Sequence, residues 1–185
     1  MTNARPKQTP FIVPVFIPHA GCPHRCIFCD QGATTGDAAA FPTAREVRRG
    51  ITQFLSYRRD TTRPTEISFY GGNFLGLPPE QVQLLLATVA GYVQAGQADG
   101  IRFSTRPDTI DDRRLDWIRP FPVKTIEIGV QSMNDEALRL SGRGHTALDT
   151  ERAFDVLAES AFRVGAQIMV GLPGDTHPAA MASAR

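Results

Sequence analysis

Phe11-Ile-Val-Pro-Val-Phe-Ile17 is followed closely by Cys22-Pro-His-Arg-Cys26-Ile-Phe-Cys29, so an apolar, strand-like run passes into a loop holding all three cysteines of the 185-residue chain. The same grammar recurs along the sequence. Thr65-Glu-Ile-Ser-Phe-Tyr70 runs into Gly71-Gly72-Asn73, and Ile101–Ser104 runs into Thr105-Arg-Pro-Asp108. Lys124–Val130 leads to Gln131-Ser132, and Ala166–Val170 leads to Gly171-Leu-Pro-Gly174. Helical stretches lie between these strands. Thr43–Arg59 opens with Thr43 as N-cap and Glu46 three residues on, the pattern of a capping box. Pro78-Pro79 opens Glu80–Ala95, which Gly96 closes. Asp111–Ile118, Asn134–Leu140 and Ala147–Phe162, the last capped by Thr146, complete the set, and His177–Arg185 begins another helix.

Five strand–helix repeats predict an α/β fold with a parallel sheet and helical crossovers. An open, doubly wound sheet confines ligands to a switch point. A barrel gathers every strand end at one mouth. Five decorated strand ends favour a partial (βα) barrel. Barrel strands are expected to be apolar on both faces, which would leave Ala166–Val170 with an open edge where a further strand could pair.

Composition narrows the classes of function. With 42% hydrophobic and 21% charged residues and a net charge of +1, the chain can bury a core and carries no field of one sign toward nucleic acid or lipid. Arg45, Arg48, Arg49, Arg58 and Arg59 read as a solvated helix face. Residues 1–10 form a polar tail without a signal-peptide pattern, and residues 11–185 form one domain. No apolar run reaches the roughly 20 residues that span a bilayer. Clustered cysteines without an export signal point to metal chemistry in a reducing cytoplasm rather than to disulfides.

Thiolates spaced by three and then two residues can hold three irons of a cubane and leave the fourth open to a small molecule. The alternative is a Cys3His zinc site that adds His24 to Cys22, Cys26 and Cys29.

The Cys-x3-Cys-x2-Cys loop, with Phe28 before its last cysteine, resembles the signature of radical S-adenosylmethionine (radical SAM) enzymes. The resemblance extends to Gly71-Gly72-Asn73, Glu127–Ser132 and Ala166–Gly174, in that family's order. Thr105–Asp108, Gly129–Ser132 and Arg143–Thr146 look most like the catalytic subunit of Elongator; oxygen-independent coproporphyrinogen oxidases are similar but more distant.

The resemblance implies a 4Fe–4S cluster on Cys22, Cys26 and Cys29, with S-adenosylmethionine at the open iron. Reductive cleavage would give methionine and a 5′-deoxyadenosyl radical that takes hydrogen from a substrate, a tRNA base in the Elongator branch. An electron donor of flavodoxin or ferredoxin type is implied. For the cofactor it implies Phe28, Gly71, Gly72, Asn73, Arg106, Glu127, Gln131 and Ile168, or Met169 beside it. Asn73 departs from the family's glutamate. Glu127 reads equally as the ion-pair partner of Arg106, Asp108 as a turn residue, Tyr70 as packing, and His24 and His145 as structural or acid–base groups. The family core has six strand–helix units, so this chain, with five, is expected to be a C-terminally incomplete core with turnover to match.

Overall fold

A computed structural model of the chain describes residues 9–17, 19–30 and 41–185. Most of the polar tail therefore lies outside the described residues. Five strands, β1 (Phe11–Phe16), β2 (Thr65–Tyr70), β3 (Gly100–Thr105), β4 (Val123–Gln131) and β5 (Arg163–Ile168), form one sheet in sequential order. Every neighbouring pair is parallel. Sequential order without a reversal is the barrel arrangement and contains no switch point.

The crossovers carry α1 (Ala44–Leu55), α2 (Pro79–Gln94), α3 (Asp112–Ile118), α4 (Asp135–Leu140) and α5 (Ala147–Ala158). After β5 comes α6 (His177–Ser183). The expected caps at Thr43 and Thr146 and the expected proline start form, and Asn134 adds a cap that was not expected. Thr43 and Glu46 close a full capping box on α1, Pro79 starts α2, and Asn134 and Thr146 cap α4 and α5. α5 stops at Ala158, four residues short of the expected end, because Ser160 turns back to bond the Leu157 carbonyl.

Strand register sorts the residues onto two faces. Ile67, Ile101 and Ile126 fall on one face, as do Phe69, Phe103 and Ile128. These side chains pack with Val47 and Ile51 of α1, Leu85, Leu86 and Val89 of α2, Leu115 and Ile118 of α3, and Leu157 of α5. Phe74 stacks between Phe69 and Phe103 at centroid distances of 4.8 and 4.5 Å.

The other face corrects the expectation of strands apolar on both sides. It carries Glu66 and Ser68, Arg102 and Ser104, Thr125 and Glu127, and Arg163. Glu66, almost wholly buried, accepts from Arg102 Nε at 2.7 Å and from Arg163, while Glu127 accepts from Arg102 Nη1 at 2.5 Å. Burial pulls Arg102 down, but hydrogen bonds to Glu66 and Glu127 hold it above its ordinary pKa. The charges remain on this face because each is met by an opposite charge on another strand of the sheet.

β5 begins three residues earlier than expected and ends two earlier. Arg163 is tied to Glu66, Gly165 pairs with Glu127, and the chain leaves the sheet as Met169 N–H donates to the Gln131 carbonyl. Among the described residues β5 pairs only with β4, and Val164 is exposed.

Candidate functional site

The loop after β1 is fixed by the loop after β2. Backbone N–H groups of Ile17 and His19 donate to Tyr70 and Gly71, and Asn73 N–H donates to Ala20. A Cβ on Gly71, whose φ is +94°, would lie 2.5 Å from the Phe16 ring, and one on Gly72 would lie 2.3 Å from the Ala20 carbonyl oxygen. The two glycines thus let the cysteine loop seat on β2.

Asn73 is fully buried and does not line the cavity. Its amide donates to the Gly21 carbonyl at 3.0 Å, and its oxygen accepts from Thr105 Oγ1, Thr109 Oγ1 and Arg106 N–H. One side chain therefore binds three strand ends together. A carboxylate could not donate to Gly21, which gives the departure from glutamate a physical role.

A cavity of about 260 Å³ opens at this end of the sheet and receives residues from all five strand ends. Cys22, Cys26, Phe28 and Cys29 enter after β1, Gly71 and Gly72 after β2, Thr105 and Arg106 at β3, Gly129 and Gln131 at β4, and Gln167 from β5. His24 and Tyr70 also line it, together with His19, Ser104 and Arg143. Gln131 is brought in by a shift in register after Ile128 and a left-handed backbone, φ +68°. A non-glycine residue in that region is held there by its surroundings.

Besides Asn73, three further expectations differ. Glu127 faces Arg102, Ser104 and Gln167 instead of the cavity, because its register partner is Ser104. Arg106, beyond the strand end, pairs bidentately with Asp108 at 2.8 and 2.9 Å, so Asp108 is an ion partner rather than a bare turn residue and the Arg106–Glu127 pair is not formed. Ile168 belongs to a separate hollow beside α5 and α6, with Met133 and Phe154. His145 lies outside the cavity; its Nε2 is 3.3 Å from the Val130 carbonyl, and burial pushes its pKa down to about 4.

None of the three cysteines is in a disulfide among the described residues; Cys26 is buried and the others are half-buried. Burial pushes the Cys22 thiol up and Arg106 pulls it down; Cys29 and Cys26 raise it further, against Arg143. Three soft donors that repel one another when ionised, beside two buried guanidiniums in one cavity, suit an iron–sulfur cluster. A zinc site gathers its donors about one point. Among the described residues no three His, Cys, Asp or Glu side chains gather in that way, and the His24 ring lies over Gly144.

The family model of the radical SAM superfamily matches residues 16–183. The chain belongs to the radical SAM superfamily. It is similar to the tRNA uridine(34) acetyltransferase of Methanocaldococcus infernus, at 26% identity over 89% of this chain and 38% of that protein. Elongator complex protein 3 of Homo sapiens is also 26% identical, over 84% of this chain and 36% of the human protein. The solved structure of coproporphyrinogen III oxidase from Escherichia coli, a radical SAM enzyme, shares the fold, with a TM-score of 0.63 and 21% identity over 98% of this chain and 42% of that one. The chain spans 57% or less of the length of the curated relatives named here and of the uncharacterized Methanocaldococcus jannaschii protein it also resembles. Its five-stranded parallel sheet in sequential order is the partial-barrel fold of that superfamily. Among the described residues no helix is long and apolar enough to cross a membrane.

The sequence reading gave no site role to Ser104, Gln167 or Arg143, although Arg143 opens the Arg143–Thr146 motif. Arg143 had a visible signal, since it stands between Gly142 and Gly144, both left-handed at φ +65° and +71°. Ser104 and Gln167 reach the cavity through strand parity and register, which no local pattern announces.

Proposed function

We propose that residues 11–185 form a radical SAM core whose Cys22, Cys26 and Cys29 hold a 4Fe–4S cluster that binds S-adenosylmethionine. The observation that carries this reading is the convergence of five strand ends on one cavity that contains every cysteine of the chain. When bound, the cluster supplies one electron that cleaves S-adenosylmethionine to methionine and a 5′-deoxyadenosyl radical, which takes a hydrogen atom from the substrate.

The chain's own residues bind, orient and exclude water. Gly71 and Gly72 keep side chains out of the methionine end, where Arg106, paired to Asp108, offers a cation with restrained geometry. Gln131 and Phe28 serve the ribose and adenine end. Asn73 contributes by holding three loops in place, and Glu127 by bonding Ser104 and Gln167 at the cavity wall, while Ile168 stays in its separate hollow and takes no part. A tRNA is the substrate class supported by the names of the relatives, an external one-electron donor of flavodoxin or ferredoxin type would feed the cluster, and the setting is the cytoplasm.

The test is anaerobic reconstitution and dithionite reduction, then electron paramagnetic resonance with and without S-adenosylmethionine, and an assay for 5′-deoxyadenosine. A reduced-cluster signal that shifts on adding the cofactor, with deoxyadenosine formed, supports the reading. A protein that takes up zinc and no iron overturns it. Cys26→Ala should lose most of the iron and reduce deoxyadenosine by more than the roughly 10- to 100-fold typical of losing an outer-shell partner.

A further inference from the structure

Arg143 is 7% exposed and makes no ion pair with a carboxylate among the described residues. Its Nη2 donates to the Gly129 carbonyl at 2.5 Å, its Nη1 donates to Cys26 Sγ at 3.3 Å, and its Nε has no hydrogen-bond partner among the described residues. Burying a cation costs several kcal/mol unless something nearby compensates it. The groups at its tip are one carbonyl dipole and one sulfur.

The placement is built rather than incidental. Two left-handed glycines flank Arg143, and its N–H closes the end of α4 on the Leu138 carbonyl. The cysteine loop is docked on the same corner, with Ile27 N–H donating to Ser141 and the His24 ring against Gly144. The guanidinium and Cys26 are therefore held to each other from both sides.

We propose that Arg143 is a positioning residue that sets the reduction potential of the cluster by donating an N–H to the sulfur of Cys26. This rests on the reading that Cys26 is a cluster ligand. Reduction adds one electron, taken from an external low-potential donor that is itself oxidised by one electron, and breaks no bond. The added negative charge is stabilised by a fixed neighbouring cation more than the oxidised state is. Hydrogen bonds to the sulfurs, net charge and solvent exposure set such potentials. Gly129 aims the fork, and its lack of a side chain leaves room, since a Cβ there would lie 3.3 Å from Arg143 Nη2.

The experiment compares wild type, Arg143→Lys and Arg143→Met after reconstitution of the whole chain, without S-adenosylmethionine. Iron content and the midpoint potential are read from a mediated titration followed by electron paramagnetic resonance. Arg143→Met should keep its iron and become harder to reduce by tenfold or more, which is about 59 mV per tenfold for one electron. Arg143→Lys, which keeps the charge and loses the fork, should fall between. An unchanged potential in iron-replete Arg143→Met overturns the proposal and leaves the cluster assignment intact, whereas wild type without iron overturns the assignment itself. Should Arg143→Met fail to fold, wild type grown with ¹⁵N-guanidinium arginine decides. Electron–nuclear double resonance of its reduced cluster should show a weak ¹⁵N coupling, and its absence overturns the proposal.

Discussion

On the helix side of the sheet, Phe69, Phe74 and Phe103 stack within an apolar core. One residue along on the same strands, Glu66, Ser68, Arg102, Ser104, Thr125 and Glu127 form a charged and hydroxylated lattice. The two faces share their backbone hydrogen bonds and differ only in side-chain parity. The difference teaches that this sheet has a structural side and a working side. Apolar burial holds the strands to the helices, whereas the polar side retains groups that a solvated cavity can use and that a dry core would reject.

The largest way to break the comparison is Phe103→Ala. Removing the end ring of the stack should lower stability by about 3–5 kcal/mol, seen as a lower urea midpoint at unchanged slope. If the concave face carried the fold, this variant would be nearly neutral.

A second test uses pH. Burial lowers the His145 pKa from its ordinary 6.5 to about 4. The unfolded chain therefore takes up a proton below pH 6.5 that the folded chain refuses until about pH 4. Stability should fall as pH drops through this window, by about 3 kcal/mol from this group, and the loss should level off below it. Unfolding free energies of wild type and His145→Asn measured from pH 8 to pH 4 should diverge in that interval and nowhere above it.

Glu66→Gln sharpens the comparison on the polar side. It leaves Arg102 and Arg163 with one carboxylate fewer and should cost about 2 kcal/mol. Amide exchange should quicken in β5, where Arg163 loses its anchor, more than in β2. The smallest effect expected is from Asn73→Asp, which sets a carboxylate oxygen against the Gly21 carbonyl. A loss of about 1–2 kcal/mol in urea unfolding is expected, with iron uptake reduced because the cysteine loop is less firmly seated. Unchanged iron uptake would mean that the loop is held by its backbone bonds alone.

Much of this was legible in the sequence because the signals are local. Thr43 with Glu46 and Thr146 with Asp149 cap helices through contacts three residues away, Pro79 opens a helix in its first turn, and three cysteines in eight residues stand out whatever surrounds them. The strand ends were legible as glycine-rich or polar breaks after apolar runs. The shift of β5 was not, because its start is fixed by Arg163 reaching Glu66, 97 residues away in sequence.

The sequence by itself determined the α/β order, the helix boundaries to within a few residues, the cysteine loop and the family. Each rests on short-range chemistry that survives outside the fold. The tertiary structure alone decided that Glu127 turns to Arg102, that Asn73 points into the protein to join three loops, and that Arg143 lies against Cys26. These outcomes depend on register between strands and on loops meeting across many tens of residues. A shift of one position along β4 would move Glu127 to the opposite face.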